Sequence, residues 1–182
     1  MERWEKKSYK LEGEVEWKTE PGYKIFVADR VLRFDVPNDW TAIPGTDSFV
    51  FHDLPPPDDN CRLESSILHL PPGLDWSGLR LTDVLRGLLE LDRRGVISRG
   101  EIVQEQRPNF ELVWAETRFM DPIEHRPART RTCVARGSDV QPVITMDFWD
   151  SDAAWCTPVW DVVLRSLQVG TIVKDPSRRD PG

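Results

Sequence analysis

The ten residues Val31–Trp40, with the sequence VLRFDVPNDW, constrain the fold of this chain more than any other stretch. Arg33 and Asp35 interrupt the apolar residues at a period of two, which is typical of a half-buried strand. Pro37 cannot donate to a sheet ladder, so we expect strand pairing to stop there on at least one side. Trp40 then follows a turn and brings a large apolar area to bury. The stretch therefore predicts a strand, a corner and an anchor around which the remaining chain packs.

The length, net charge and cysteine content limit the class of protein. A chain of 182 residues has the length of one domain, and its net charge of -7 argues against general binding to nucleic acid or to anionic membrane. No apolar run is long enough to span a bilayer, and the first ten residues show no signal-peptide core. Cys61, Cys133 and Cys156 have no short spacing, which indicates reduced thiols and a cytoplasmic location. A local basic patch stays open, since four arginines lie close in sequence: Arg126, Arg129, Arg131 and Arg136.

Strand patterns dominate the chain. Residues 11–18 alternate strictly, and after the turn at 20–22 the strand 23–28 completes a predicted N-terminal β-hairpin. Residues 41–47 read as a turn, and Gly137 at the first central position suits a type II′ turn in the last hairpin. Pro142 predicts an edge position or a bulge there. The other predicted strands are 48–53, 62–70, 101–106, 110–120, 128–136 and 143–149.

Two segments have helical periodicity. The first is 82–94, with Thr82 as N-cap and Gly95 closing the helix in the left-handed conformation. The second is 158–167, with Thr157 as N-cap and Pro158 as its first residue. Short connections between the strands favour an antiparallel meander packed by these two helices, which is an α+β fold. We expect a frayed segment at 1–8, one domain over 9–170 and a flexible tail over 171–182.

This order of elements resembles the PsbP-like superfamily. The resemblance spans Tyr23 to Gly170, and its most specific pieces are PNDW at Pro37–Trp40 and LRSL at Leu164–Leu167. The superfamily includes extrinsic subunits of photosystem II, the eukaryotic Ran-release factor and bacterial chaperones for type VI secretion effectors. The resemblance implies a non-catalytic binding protein whose partner is not fixed by the fold.

The histidines and cysteines are the candidates for catalysis or metal binding. His52 and His69 with Asp53 would form a metal site only if their strands paired, and no further ligand has the spacing of a zinc site. Cys156 precedes the second predicted helix and would need His125 or His69 as a base. Glycine-rich phosphate loops are absent from the sequence. We therefore predict no catalytic residue, no metal and no cofactor.

Five carboxylates lie on predicted strand ends and loops, where a solvated rim is the expected environment. Paired carboxylates can perform acid–base catalysis, but their positions in the sequence do not converge on one site. They are Asp121, Glu124, Asp147, Asp150 and Asp152.

The tryptophans carry the strongest functional hypothesis. Trp40 and Trp160 are expected in the core, whereas Trp76 and Trp155 fall in predicted loops and Trp149 ends a strand. Tryptophan is enriched among the anchors of protein interfaces. We therefore predict a partner-binding surface that includes Trp76, Trp155 and Trp149.

The leading hypothesis is a non-catalytic protein-binding, adaptor or chaperone-like domain whose partner is another protein, as a monomer or a homodimer. One alternative is a carrier of an apolar small molecule, enclosed between the sheet and the closing helix. Another is a small hydrolase that uses Cys156 or a histidine.

Overall fold

The structure is a computed structural model that describes residues 18–170. Most of the predicted strand 11–18, the segment 1–8 and the tail 171–182 lie outside the described residues. Within the described range there are eleven strands and two helices. They are β1 Tyr23–Ala28, β2 Leu32–Pro37, β3 Thr41–Pro44, β4 Ser48–His52, β5 Cys61–His69, α1 Leu81–Leu91, β6 Gly95–Arg99, β7 Val103–Arg107, β8 Phe110–Met120, β9 Pro127–Arg136, β10 Val140–Trp149, α2 Ala153–Ser166 and β11 Gln168–Val169.

The strands form two sheets. The larger has the order β3-β4-β5-β10-β9-β8-β6, with β7 also paired to β8, and the smaller has the order β1-β2-β11. Every pairing in the described chain is antiparallel, which confirms the predicted α+β class. Neither helix in this part of the chain has the length and apolar run that crossing a membrane requires.

The opening stretch is the middle strand of the smaller sheet. Strand β2 is buried along its whole length, so the prediction of a half-buried strand was wrong. Its two polar residues are buried because Arg33 and Asp35 pair at 2.9 Å, and Arg33 also donates to the carbonyl of Ser166 at the end of α2. Trp40 is 4% exposed, as expected of an anchor.

Helix α1 is shorter than the predicted 82–94. Its N-cap is Arg80, which has an extended backbone, so Thr82 lies inside the first turn. It ends at Leu91 because Asp92 leaves helical geometry, and Gly95 begins β6 instead of closing the helix. That strand was not predicted.

Helix α2 is longer than the predicted 158–167. It follows a short 3-10 turn, Asp150–Asp152, and begins at Ala153, so Pro158 lies inside it and Thr157 is not its N-cap. A proline in a helix removes one backbone bond, here to the carbonyl of Ala154. The first turn of α2 packs against the core through Cys156, which is completely buried, and this packing offsets the lost hydrogen bond.

Three details of the larger sheet also differ from prediction. Pro142 lies in β10, an interior strand, and it pairs with Ile67 without a bulge. Its missing N–H interrupts only the ladder with β9, which resumes in the same register at Gly137 and Val140. In the turn before β10 the positive φ falls on Ser138, and Gly137 pairs with Val140, so Gly137 is not at the first central position as predicted. Residues 41–44 form the edge strand β3 rather than a turn.

The larger sheet separates two apolar clusters. On its inner face, α2 and the smaller sheet pack with Trp160, Phe34 and Phe51 buried among them. On its outer face, α1 covers only part of the sheet, where Leu81, Leu85 and Leu89 contact strands β8 and β9. The rest of the outer face is therefore left to polar side chains.

Candidate functional site

Several connections meet at one end of the larger sheet, which we call the upper end. Strands β8 and β10 end there and β5, β6 and β9 begin there, as their pairing registers require. Segments 53–60, 92–94, 121–126 and 150–152 join the elements at this end. Helix α1 ends and α2 begins beside them, so short pieces of distant sequence are brought together.

A row of polar residues crosses the outer face next to the end of α1. Thr117 on β8 pairs with Thr130 on β9, and Thr130 pairs with Asp147 on β10. Thr132 and Thr145 form a second pair beside this row. These five side chains share a face because positions two apart on a strand point the same way. With Leu88, Leu89, Asp92, Arg94 and Val143 they line a cleft of about 260 Å³, the threonine cleft.

Thr117 has an unusual environment in that cleft. The residue is 1% exposed, and its hydroxyl oxygen has no hydrogen-bond partner. Its cross-strand neighbour is different, since the Thr130 hydroxyl donates a hydrogen bond to Oδ1 of Asp147. Buried hydroxyls are normally paired, because an unpaired one keeps the full cost of leaving water.

Arg94 forms one wall of the cleft. Its Nε and Nη2 atoms donate to the carboxylate of Asp92, at 2.9 Å and 2.7 Å, and its guanidinium lies 3.7 Å from the ring centre of Phe119. Hydrogen bonding from Arg94 lowers the pKa of Asp92. Burial acts to lower the pKa of Arg94, but the bonds to Asp92 and the charge of Asp147 raise it.

Asp147 is only loosely paired with that arginine. Arg94 Nη1 lies 3.6 Å from Asp147 Oδ1, which is longer than a hydrogen bond. Burial raises the pKa of Asp147, although Thr130 and Arg94 oppose the shift. The Asp147 side chain nevertheless keeps 41% of its surface exposed, so the structure does not contradict the prediction of a solvated rim position.

A second cleft of about 330 Å³ adjoins the first and shares Arg94 and Asp147 with it. We call it the tryptophan cleft, and we call the two clefts together the groove. Its other lining residues come from two upper-end connections and from strand ends: Pro57, Asp59, Asn60, Cys61, Arg62, Phe119, Asp121, Ala128, Phe148 and Trp149. Arg126 stacks on Trp149, with its guanidinium carbon 3.5 Å from the ring centre.

The three tryptophans predicted to bind a partner are not all together. Trp149 and Trp155 lie at the upper end, the first in the groove and the second in the first turn of α2. Trp155 is 40% exposed. Trp76 lies at the opposite end, where its carbonyl accepts a hydrogen bond from Arg136, and its indole nitrogen is buried without a partner.

The cysteines are buried thiols. Cys156 is 0% exposed, and its thiol, together with burial, raises the pKa of Cys61. Burial raises the pKa of Cys133 to about 12. Since a nucleophilic cysteine needs access and thiolate character, this arrangement gives no support to a hydrolase built on Cys156.

The histidines lie apart. His52 Nδ1 is 2.8 Å from Asp59, whereas His69 lies at the other end of β5, 3.7 Å from Asp29. Asp53 accepts backbone hydrogen bonds from residues 60 and 61. Across residues 18–170, no three histidine, cysteine or carboxylate side chains are arranged to hold a metal ion.

The four arginines close in sequence do not form a free basic patch. Arg129 and Arg131 lie on the inner face and share Glu116, and Arg129 also binds Asp150. These contacts lower the pKa of Asp150, mainly through Arg129. Arg136 lies on the outer face, so the four side chains are divided between the two sides of the sheet.

The sequence reasoning missed the threonines and Arg94. The signal was available in part, because Thr130 and Thr132 are two positions apart on a predicted strand and so had to share one face. Arg94 was interpreted as the end of a helix. Its place beside Asp147 depends on α1 ending early, which the sequence did not indicate.

The arrangement as a whole defines the class of protein by its fold, which is PsbP-like. The structure is similar to the solution structure of cyanobacterial PsbP (CyanoP) from Synechocystis sp. PCC 6803, with a TM-score of 0.57 at 15% identity, covering 86% of this chain and 98% of that one. It is also similar to LpqN, involved in cell envelope biogenesis of Mycobacterium tuberculosis, with a TM-score of 0.52 at 17% identity over 83% and 86% of the two chains. The resemblance suggested by PNDW and LRSL is thereby confirmed at the level of fold.

Within that class, the chain belongs to the Alr1449 family, whose model matches residues 24–173. The uncharacterized protein alr1449 of Nostoc sp. (strain PCC 7120) is 44% identical over 177 residues, which are 96% of this chain and 92% of that protein.

Proposed function

We propose that this chain is a non-catalytic protein-binding domain that contacts its partner at the upper end of the sheet, with Trp155 as an anchor. The observation that carries the proposal is that Trp155 is exposed and at the same time held in place by a hydrogen bond. Its side chain is 40% exposed, yet its indole N–H donates to Asp152 at 3.2 Å. An exposed aromatic side chain that is already held in place loses little conformational freedom when a partner covers it.

Other exposed apolar side chains lie at the same end. Met120 is 40% exposed at the end of β8, and Ile123 is 81% exposed in the connection that follows. The bidentate contact of Arg118 with Asp150 holds the end of β8 beside the start of α2. Tryptophan surrounded by apolar contacts is the common composition of an interface hot spot.

The fold and the buried thiols support this proposal over a carrier of an apolar small molecule and over a hydrolase. The space between α2 and the sheet is filled by core side chains, among them Trp160, Ile144 and Met146, where an apolar ligand would have to lie. The three cysteines are free and buried, which is consistent with a reducing cytoplasm. Fold alone does not determine function, so the upper-end surface carries the argument.

The experiment compares capture by three immobilised proteins: the natural chain, Trp155→Ala and Leu74→Ala. Leu74 is 59% exposed and lies in the connection at the opposite end, so it is a matched exposed control. We expect Trp155→Ala to lose a protein that the other two retain, while its free energy of unfolding falls by about 1 kcal/mol or less.

A loss of about 3–5 kcal/mol, as expected for the buried Trp160→Ala, would show instead that Trp155 is a core residue. Equal capture by all three proteins would contradict an interface at the upper end.

A further inference from the structure

We infer that the groove binds a lysine side chain of the partner protein, with Asp147 as its counter-ion. This inference rests on the proposed function, since it names the chemistry of the partner. Four carboxylates line the groove, Asp59, Asp92, Asp121 and Asp147, against two guanidinium groups, Arg62 and Arg94. The lining is therefore negative, and a cation is the complementary ligand.

The end of α1 adds to the negative potential. Leu88, Leu89 and Asp92 line the cleft at the helix C-terminus, where the Leu89 carbonyl accepts hydrogen bonds from the Asp92 N–H and from Arg99. The carbonyls of a helix C-terminus act as a partial negative charge that favours cations, and Arg99 already uses part of it. The Arg94 guanidinium is already engaged with Asp92 and Phe119. Its contact with Asp147, at 3.6 Å, is longer than its contacts with Asp92, so Asp147 keeps acceptor capacity for a second cation.

Among the described residues, two oxygen acceptors in the threonine cleft have no hydrogen-bond donor. The hydrogen bond from Thr130 and the distant Arg94 contact both use Oδ1 of Asp147, and neither uses Oδ2. Thr117, which is almost completely buried, presents a hydroxyl without a partner in the same cross-strand row. A lysine ammonium has three donors and no acceptor, so it matches a site with surplus acceptors.

The size of the clefts favours a side chain over a larger ligand. At about 260 and 330 Å³, each cleft is close to the lower limit of the roughly 300–1,000 Å³ usual for small-molecule sites. Leu88 and Val143 provide apolar walls for the methylene groups of lysine. Trp149 lines the neighbouring cleft and, like Trp155, lies at the upper end of the sheet.

The test is a titration of the full ¹⁵N-labelled chain followed by amide NMR. The probes are the capped tripeptide acetyl-Gly-Lys-Gly-amide, its norleucine counterpart, which has the same length without the charge, and spermidine. We expect only the lysine peptide to give saturable shifts of the amides of Thr117, Thr130, Thr132, Thr145 and Asp147. Asp147→Asn should weaken this binding by about tenfold or more, because a hydrogen bond to a charged group is lost.

Two further variants separate binding from folding. Asp139→Asn removes an exposed carboxylate at the opposite end and should bind like the natural chain. Thr117→Val keeps the charge of the groove and should bind more weakly while remaining folded. Equal shifts from the lysine and norleucine peptides, undiminished binding to Asp147→Asn, or tighter binding of spermidine than of the peptide would each overturn the inference. None of those results would change the expected dependence of partner capture on Trp155. The lysine site and the interface at the upper end can therefore fail separately.

Discussion

Replacing Thr117 with valine is expected to stabilise the protein. Threonine and valine are both β-branched and similar in size, so the strand backbone and its packing are retained. The substitution removes a buried hydroxyl that has no hydrogen-bond partner and puts a methyl group in its place. Leaving such a group unsatisfied costs about 1–3 kcal/mol, and burying a methyl group contributes about 0.8 kcal/mol. We expect the free energy of unfolding to rise by about 1–3 kcal/mol, with allowance for relaxation at the site.

Thr130→Val is the matched control on the neighbouring strand. Its hydroxyl donates to Asp147, so the same chemical change leaves a partly desolvated carboxylate without its donor. Hydrogen bonds to charged groups contribute about 1.5–3 kcal/mol, and this variant should lose stability by about that amount. The two substitutions, made on directly paired residues, should therefore act in opposite directions.

Urea unfolding followed by tryptophan fluorescence measures both effects. The unfolding free energy should fall with urea concentration at the same slope for all three proteins, so that differences between the midpoints report stability alone. A lower midpoint for Thr117→Val would show that its hydroxyl is satisfied in the folded protein. Midpoints that move in the same direction for both variants would refute the assignment of different roles to the two threonines.

Two predictions concern pH. Because Arg129 lowers the pKa of Asp150, that carboxylate should stabilise the fold above its ordinary pKa of 3.8, and the stabilisation should disappear as pH falls below that value. The difference in unfolding free energy between the natural chain and Asp150→Asn should therefore vanish in acid, and a difference independent of pH would contradict this. Burial raises the pKa of Asp147, so lysine-peptide binding should still strengthen above pH 3.8, as Asp147 ionises later than an ordinary aspartate. The charged groups around Asp147 are Arg62, Arg94 and Asp92. NMR titrations with the lysine peptide over a pH series measure the affinity, and an affinity that does not change with pH would contradict the prediction.

The sequence predicted the fold well where the pattern is local. Strand β8 was predicted with its correct limits, and β9 to within one residue, because alternation and turn residues determine such strands directly. Helix limits were less accurate. Pro158 is usually a helix-starting residue, but packing of the preceding turn against the core extends α2 backwards by five residues.

The groove depended on information that the sequence pattern does not contain. Alternation assigns Thr117, Thr130 and Asp147 each to a face of its own strand, but only the register between strands places them in one row. The early end of α1 then exposes that row and brings Arg94 to it. Pairing register and helix termination depend on tertiary packing, so single-sequence reasoning interpreted Asp147 as an ordinary surface carboxylate.

Site-specific photocrosslinking tests the central claim most directly. A photoreactive amino acid is placed at Trp155 in one protein and at Leu74, the exposed position at the opposite end, in another. The account predicts that a defined protein is crosslinked in cells from position 155 and not from position 74, and that Asp147→Asn reduces its yield. Crosslinking of the same protein with equal yield from both positions would contradict an interface at the upper end of the sheet.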